Sequence, residues 1–188
     1  MTATLPVVTE RQSPHYDDRP QAETVSLLVI HNISLPAGEF AKVPQHSYVD
    51  ALFMGKLDCT AHPSFASLAG VRVSAHCVIW RDGSIFQYVP FAKRAWHAGV
   101  SNFAGRERCN DFSIGIELEG TDNLPYTDQQ YKSLINLTLM IMQLYPAITP
   151  ERIAGHCDIA PGRKTDPGAA FDWMRYRDAI KSALNKPI

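Results

Sequence analysis

Between Gly155 and Gly168 the chain reads GHCDIAPGRKTDPG, which gathers His156, Lys164 and Asp166 into one turn-rich loop. An imidazole and a carboxylate are ordinary zinc ligands, and the lysine between them adds a fixed positive charge. Pro161 and Pro167 restrict the loop backbone, which is expected to fold Asp166 back towards His156. A third ligand must come from elsewhere. The best candidate is His31, which closes the apolar run Leu27-Leu28-Val29-Ile30, much as His156 follows the short run Arg152-Ile153-Ala154. Side chains at strand ends leave the sheet and reach a cleft. The competing reading makes both residues core histidines hydrogen-bonded to backbone, and spacing alone leaves the two open.

The chain has histidines at 15, 31, 46, 62, 76, 97 and 156, and the helical H-E-x-x-H pattern is absent. His76 sits inside a strand-like run between Ala75 and Cys77, which suits a structural role. His97 lies in a long loop beside Trp96 and Gly99 and is a candidate substrate contact. Glu117 is a candidate general base, because a carboxylate on the polar side of an apolar strand meets either solvent or a cleft. Glu119, two residues on, shares that side and is an equal candidate; either could instead pair with an arginine at the surface. Lys164 near a metal would stabilise an oxyanion; otherwise it is a surface lysine. Arg72, Arg106 and Arg108 could bind carboxylates through the guanidinium fork or be solvated charges. Trp96 could offer a flat face to a sugar ring or belong to the core.

The elements that must position these groups are partly legible. Ser26 to Asn32 reads as a central strand, apolar on both faces and so covered on both. Val73 to Tyr88 reads as a hairpin around Asp82-Gly83. Asp111 to Gly120 alternates, with Phe112, Ile114, Ile116 and Leu118 on one side and Ser113, Gly115, Glu117 and Glu119 on the other. Thr127 and Gln130 form a capping box for a helix to about Tyr145, apolar nearly all round in its second half and expected to be well buried. Short helices are expected over 46–56 and 171–185, the second with Trp173, Tyr176, Ile180 and Leu184 on one stripe. Residues 1–25, punctuated by prolines, read as an irregular arm before one domain over 26–188; residues 57–70 read as irregular too.

A length of 188 residues suits a single domain with a sizeable core. A formal net charge of -1 argues against nucleic acid as a partner. No apolar run approaches the roughly 18 residues of a membrane span. The N-terminal MTATLPVVTERQSPHY lacks the basic start and apolar core of a signal peptide, so a cytoplasmic protein is expected. Four scattered cysteines form no C-x-x-C pair, which rules out a zinc ribbon and favours free buried thiols over disulfides.

The segments SPHYDDRP, LLVIHNISLPAGEF, VSAHCVIWRDG, QYVPFAKRAWHAGVS, GRERCNDFSIGIELEGTD and GHCDIAPGRKTDPG span nearly the whole chain. In these segments the sequence resembles the AmpD-type N-acetylmuramoyl-L-alanine amidases, within the wider group of T7-lysozyme-like amidases and peptidoglycan recognition proteins. The resemblance implies an α/β (α+β) fold with a central mixed β-sheet flanked by helices. It implies one zinc per chain on His31, His156 and Asp166, selects Glu117 as the catalytic carboxylate, and gives Lys164 the oxyanion role. It further implies Arg72 and Arg108 as contacts for stem-peptide carboxylates, with Trp96 and Asn32 near the substrate, and His76 and His97 outside the ligand set. The implied substrate is a cytosolic 1,6-anhydro-N-acetylmuramoyl peptide, cut between the lactyl group and L-alanine during peptidoglycan recycling, with an indirect effect on β-lactamase induction. The expected protein is a monomer acting on a small molecule, with neither nucleic acid nor membrane as partner. Two rivals remain at this point: a non-catalytic module that only recognises peptidoglycan fragments, and an amidase acting on intact polymer outside the cytoplasm.

Overall fold

In the computed structural model, which describes residues 7–185, the main sheet has six strands in the order β1-β5-β4-β9-β3-β10. These are β1 (Val8–Glu10), β3 (Leu27–Ile33), β4 (Cys77–Ile79), β5 (Ile85–Gln87), β9 (Ser113–Glu119) and β10 (Ile153–Gly155). β4 and β5 pair antiparallel and every other neighbouring pair is parallel, so the sheet is mixed. Two small ribbons lie beside it: β2 (Tyr16–Asp17) on β6 (Arg94–Ala95), and β7 (Asn102–Phe103) on β8 (Arg106–Glu107). The helices are α1 (Tyr48–Phe53), α2 (Asp128–Leu144), the single turn α3 (His156–Ile159) and α4 (Trp173–Leu184).

Alternation along β3 and β9 sorts their side chains between two layers. Leu28, Ile30, Ile114, Ile116 and Leu118 pack against Leu134, Leu137 and Ile141 of α2 and Tyr176 and Ile180 of α4. On the opposite face Leu27 and Val29 meet Ala98, Cys109, Phe112 and Ile159, while α1 covers Val78, Trp80 and Phe86 through Val49, Leu52 and Phe53. His31 and Glu117 belong to this second face, away from α2 and α4.

The capping box at Thr127 is formed in both directions, Gln130 N–H to Thr127 Oγ1 and Thr127 N–H to Gln130 Oε1, each at 3.1 Å. Such a cap contributes about 1 kcal/mol. The second half of α2 is less enclosed than its composition suggests. Ile141 is buried, but Leu144 is 60% exposed, because only one stripe of the helix faces the sheet.

The arm expected over residues 1–25 carries two strands from Val8 onwards. Its side chains anchor it: Arg11 makes a two-pronged contact with buried Asp50, at 3.0 and 2.5 Å, and Tyr88 donates to the same carboxylate. Arg19 is largely buried and donates to the carbonyls of Phe91, Asn110, Asp111 and Ser113, bracing the start of β9. Burial lowers its pKa to about 10. Residues 57–70 contain a short 3-10 turn at Pro63–Leu68. All four cysteines are free; Cys77 and Cys109 are buried, whereas Cys59 and Cys157 are only half-buried. No helix among the described residues is long and apolar enough to cross a membrane.

Candidate metal centre

His31 is the fifth residue of β3, and β10 lies beside it in parallel, with Gly155 registered against Ile30. The chain leaves β10 directly into α3, so His156 emerges next to His31. The following loop is folded back by backbone bonds. Lys164 N–H donates to Ala160 O at 3.1 Å and Cys157 N–H to Asp166 O at 2.9 Å, which holds Asp166 against the start of α3. From the other side, Asn32 donates its amide hydrogens to Pro167 O at 3.0 Å and to Asp122 Oδ1 at 2.8 Å, while Tyr126 donates to Pro167 O at 2.7 Å. Gly168 has φ +81°, and any Cβ there would overlap the backbone of Asp122. The loop is thereby fixed at both ends of its Asp166-Pro167-Gly168 segment.

His31 Nδ1, His156 Nδ1 and Asp166 Oδ2 form a triangle with 3.0 Å sides. His156 donates Nε2–H to the carbonyl of Ala98 at 3.1 Å, and a carbonyl only accepts, so its Nδ1 carries a lone pair. Burial pulls His31 down to about 4 against the support of Asp166, so this ring is neutral near neutral pH. Burial by itself would raise Asp166, but the two imidazoles beside it outweigh that and hold it well below the usual carboxylate range. Lone pairs and a carboxylate oxygen aimed at one point repel unless a cation lies among them. The donor set fits zinc, since a tetrahedron with bonds of about 2.0–2.1 Å has edges of about 3.3 Å.

Glu117 is registered opposite His31 on β9 and is buried, with Oε2 lacking any partner. Burial, reinforced by the charge of Asp166, pushes its pKa well above the usual glutamate value, and the charge of Lys164 pulls the other way. Glu119 is equally buried but its carboxylate is engaged: Ala41 N–H donates at 2.8 Å and Arg81 N–H at 3.1 Å. Of the two glutamates, only Glu117 keeps a free oxygen on the metal-ligand side. Neither faces open solvent, contrary to the surface-pair alternative, because loops cover this face of the sheet.

Residues 21–169 match the N-acetylmuramoyl-L-alanine amidase family. The chain belongs to this amidase family. It is 62% identical over 176 residues to the 1,6-anhydro-N-acetylmuramyl-L-alanine amidase AmpD of Salmonella typhimurium strain SL1344, covering 94% of this chain and 91% of the relative. A crystal structure of a selenomethionine AmpD derivative superposes with a TM-score of 0.88 at 59% identity, covering 96% of this chain and 98% of the other. The amidase AmiD from E. coli, in complex with the substrate anhydro-N-acetylmuramic acid-L-Ala-D-gamma-Glu-L-Lys, superposes at 0.60 with 30% identity, covering 86% of this chain and 60% of that one. The expected central mixed sheet with flanking helices is the fold observed.

The remaining sequence candidates of this amidase fall in different places. Lys164 is exposed, and its charge acts on both Glu117 and His31. Arg108 is exposed, in the left-handed region at φ +60°, and pairs with Asp111 at 3.2 Å. With Gly99, Val100, Ser101, Pro161 and Arg163 it lines a groove of about 590 Å³. Arg106 pairs with Glu23 and lies over the Phe112 ring, so it belongs to the scaffold. Arg72 is exposed and borders a smaller hollow with His15 and Cys59. Trp96 is half-buried and stacks on His15 with ring centroids 6.1 Å apart.

Asn32 and His97, both expected near the substrate, are half-buried and engaged inside the protein. Both amide hydrogens of Asn32 are spent on the ligand loop, and both ring nitrogens of His97 have partners inside the protein, His31 and Ser113. His76 is structural as expected: its Nδ1 accepts Gly115 N–H at 3.0 Å and its Nε2 lies 3.1 Å from Lys93 O. Sequence reasoning missed Ala98, Asn110 and Ser113, which surround the two histidines from behind. The small residues Ser113 and Gly115, alternating with isoleucines, are the one signal that something packs close to that face.

Proposed function

We propose that the protein is a zinc-dependent amidase that hydrolyses the bond between the lactyl group of 1,6-anhydro-N-acetylmuramic acid and the L-alanine of the stem peptide. The observation that carries this reading is the triangle of His31, His156 and Asp166 with an unpartnered buried carboxylate, Glu117, beside it. Identity of about 60% to enzymes named for that substrate supports the choice of the anhydro sugar. A recognition module has no need of such a carboxylate.

One zinc ion held by the three ligands would supply Lewis acidity towards the scissile carbonyl and a water acidified towards neutrality. Glu117 accepts a proton from the attacking water; its raised affinity for protons, which a bound dication would draw down, suits a base that must later act as an acid. The water oxygen bonds to the lactyl carbon, the carbon–nitrogen bond breaks, and Glu117 delivers the proton to the departing alanine nitrogen. The Lys164 ammonium stabilises the negative charge on the carbonyl oxygen. Arg72 and Arg108 bind stem-peptide carboxylates, and Trp96 lies close to the sugar. The enzyme acts as a monomer in the cytoplasm on soluble fragments returned by peptidoglycan recycling, and its loss raises induction of a β-lactamase.

The test is release of free peptide from purified anhydro-muropeptide by protein as prepared, after chelation, and after zinc is restored. Activity lost with the metal and regained with zinc is the expected result. Binding of the muropeptide by the zinc-loaded protein without cleavage would overturn the reading.

A further inference from the structure

The second face of β9 and the loop above it hold both metal-side histidines from behind. His156 is oriented by the Ala98 carbonyl. At Nε2 of His31 the neighbour is not a carbonyl but Nδ1 of His97, the residue before Ala98, 2.9 Å away. Nε2 of His97 in turn lies 3.1 Å from Oγ of Ser113, a fully buried hydroxyl. The backbone of this pair is fixed by Asn110, whose Oδ1 accepts His97 N–H at 3.1 Å and Ala98 N–H at 2.8 Å. Beneath the ring is Gly115, where a Cβ would stand 2.5 Å from Cγ and Nδ1 of His97. Only glycine lets the imidazole lie that low on the strand, within reach of both His31 and Ser113.

We propose that His97 is a positioning residue that accepts the Nε2 proton of His31 and thereby presents the Nδ1 lone pair of His31 to the metal, with Ser113 receiving the proton on the far nitrogen of His97. This rests on the zinc reading above. A metal-bound imidazole needs its second nitrogen tied to a partner that fixes tautomer and ring orientation, and loss of that partner commonly costs 10–100-fold in metal affinity. The same loop thus serves both histidines, one through a side chain and the other through a carbonyl.

The discriminating variants are His97→Leu, which fills the space over Gly115 without an acceptor, and His97→Asn, whose Oδ1 takes the place of Nδ1. Zinc affinity is read by competition with a chromogenic chelator, and cobalt-substituted protein gives an absorption spectrum that reports ligand geometry. His97→Leu is expected to lose roughly 10–100-fold in zinc affinity and to alter the cobalt spectrum, with KM for muropeptide unchanged. His97→Asn should recover most of the affinity. Should the leucine variant not fold, Ser113→Ala carries the test, with a smaller loss of zinc affinity expected and an unchanged affinity counting against the proposal. A leucine variant that binds zinc like wild type but shows a raised KM would make His97 a substrate contact instead. Leucine and asparagine variants equally weakened would reduce the residue to packing. A wild-type protein that takes up no zinc would remove the metal reading and this inference with it, whereas zinc-binding wild type beside an equally competent leucine variant would remove this inference alone.

Discussion

Glu117 stands directly opposite His31 on the adjacent parallel strand, both on the face turned away from α2 and α4. A register slip of one residue would send one of them into the apolar layer, so the pairing of β3 with β9 is as much a condition of the chemistry as the side chains are. Glu117→Gln should retain zinc and lose about 10²–10⁴-fold in turnover. It should also stabilise the metal-free protein. Burial raises the Glu117 pKa, so its contribution to stability is complete below the ordinary value of 4.5 and is lost as pH rises through the folded-state value. Glutamine cannot ionise. Thermal melts of chelated protein should show the variant more stable near neutral pH and equal to wild type near pH 4; equal melting at both would mean that Glu117 is not held in a desolvated site.

Asn32 gives a second handle on the ligand loop. Its bond to Pro167 O lies one residue from Asp166, and its bond to Asp122 ties in the segment after β9. Asn32→Ala should cost about 1–3 kcal/mol in stability and weaken zinc binding, since Asp166 would lose one of its restraints. Isothermal titration with zinc and a denaturant melt measure the two effects. An unchanged zinc affinity would show that Tyr126 and Gly168 suffice to hold the loop.

The parts of this molecule that could be read in advance are those whose cause is local. β3 follows from an unbroken apolar run, the β4–β5 hairpin from Asp82-Gly83, and the start of α2 from its capping box. The strands in the first 25 residues escaped notice because β1 and β2 are too short to show periodicity; they are strands only because β5 and β6 offer edges to pair with. Glu117 and Glu119 could not be separated for a similar reason. They share one face of one strand, and what distinguishes them is the pair of N–H groups that Ala41 and Arg81 bring to Glu119. The position of His97 was likewise set by contacts distant in sequence, although the small residues beneath it were visible.

Arg108 occupies the left-handed region as a non-glycine residue, and its exposed guanidinium makes an ion pair with the buried Asp111. Such a conformation costs on the order of 1 kcal/mol, while a pair whose cation is mostly solvated returns little, and Asp111 keeps its bond to Arg94 without it. Arg108→Gly should therefore raise or leave unchanged the thermal stability while raising KM for muropeptides that carry free stem-peptide carboxylates. Steady-state kinetics with the peptide shortened stepwise would locate the carboxylate concerned. A variant with unaltered KM across that series would remove Arg108 from the substrate site.

His76 supplies a pH response of the scaffold itself. The ring is wholly buried between Arg19, Phe91 and the backbone of Gly115, and burial, aided by the Arg19 charge, lowers its pKa from 6.5 to about 3. A depressed histidine stabilises the fold fully above its unfolded value, and the contribution drains away as pH falls from 6.5 towards the folded value. Each pH unit in that window removes up to about 1.4 kcal/mol. His76→Asn keeps an acceptor for Gly115 N–H and cannot be protonated, so its denaturation midpoint should fall less steeply with acid than that of wild type. Parallel acid slopes for the two proteins would mean that other groups, among them His31 and His97, which burial also keeps neutral, and Asp166, carry the response.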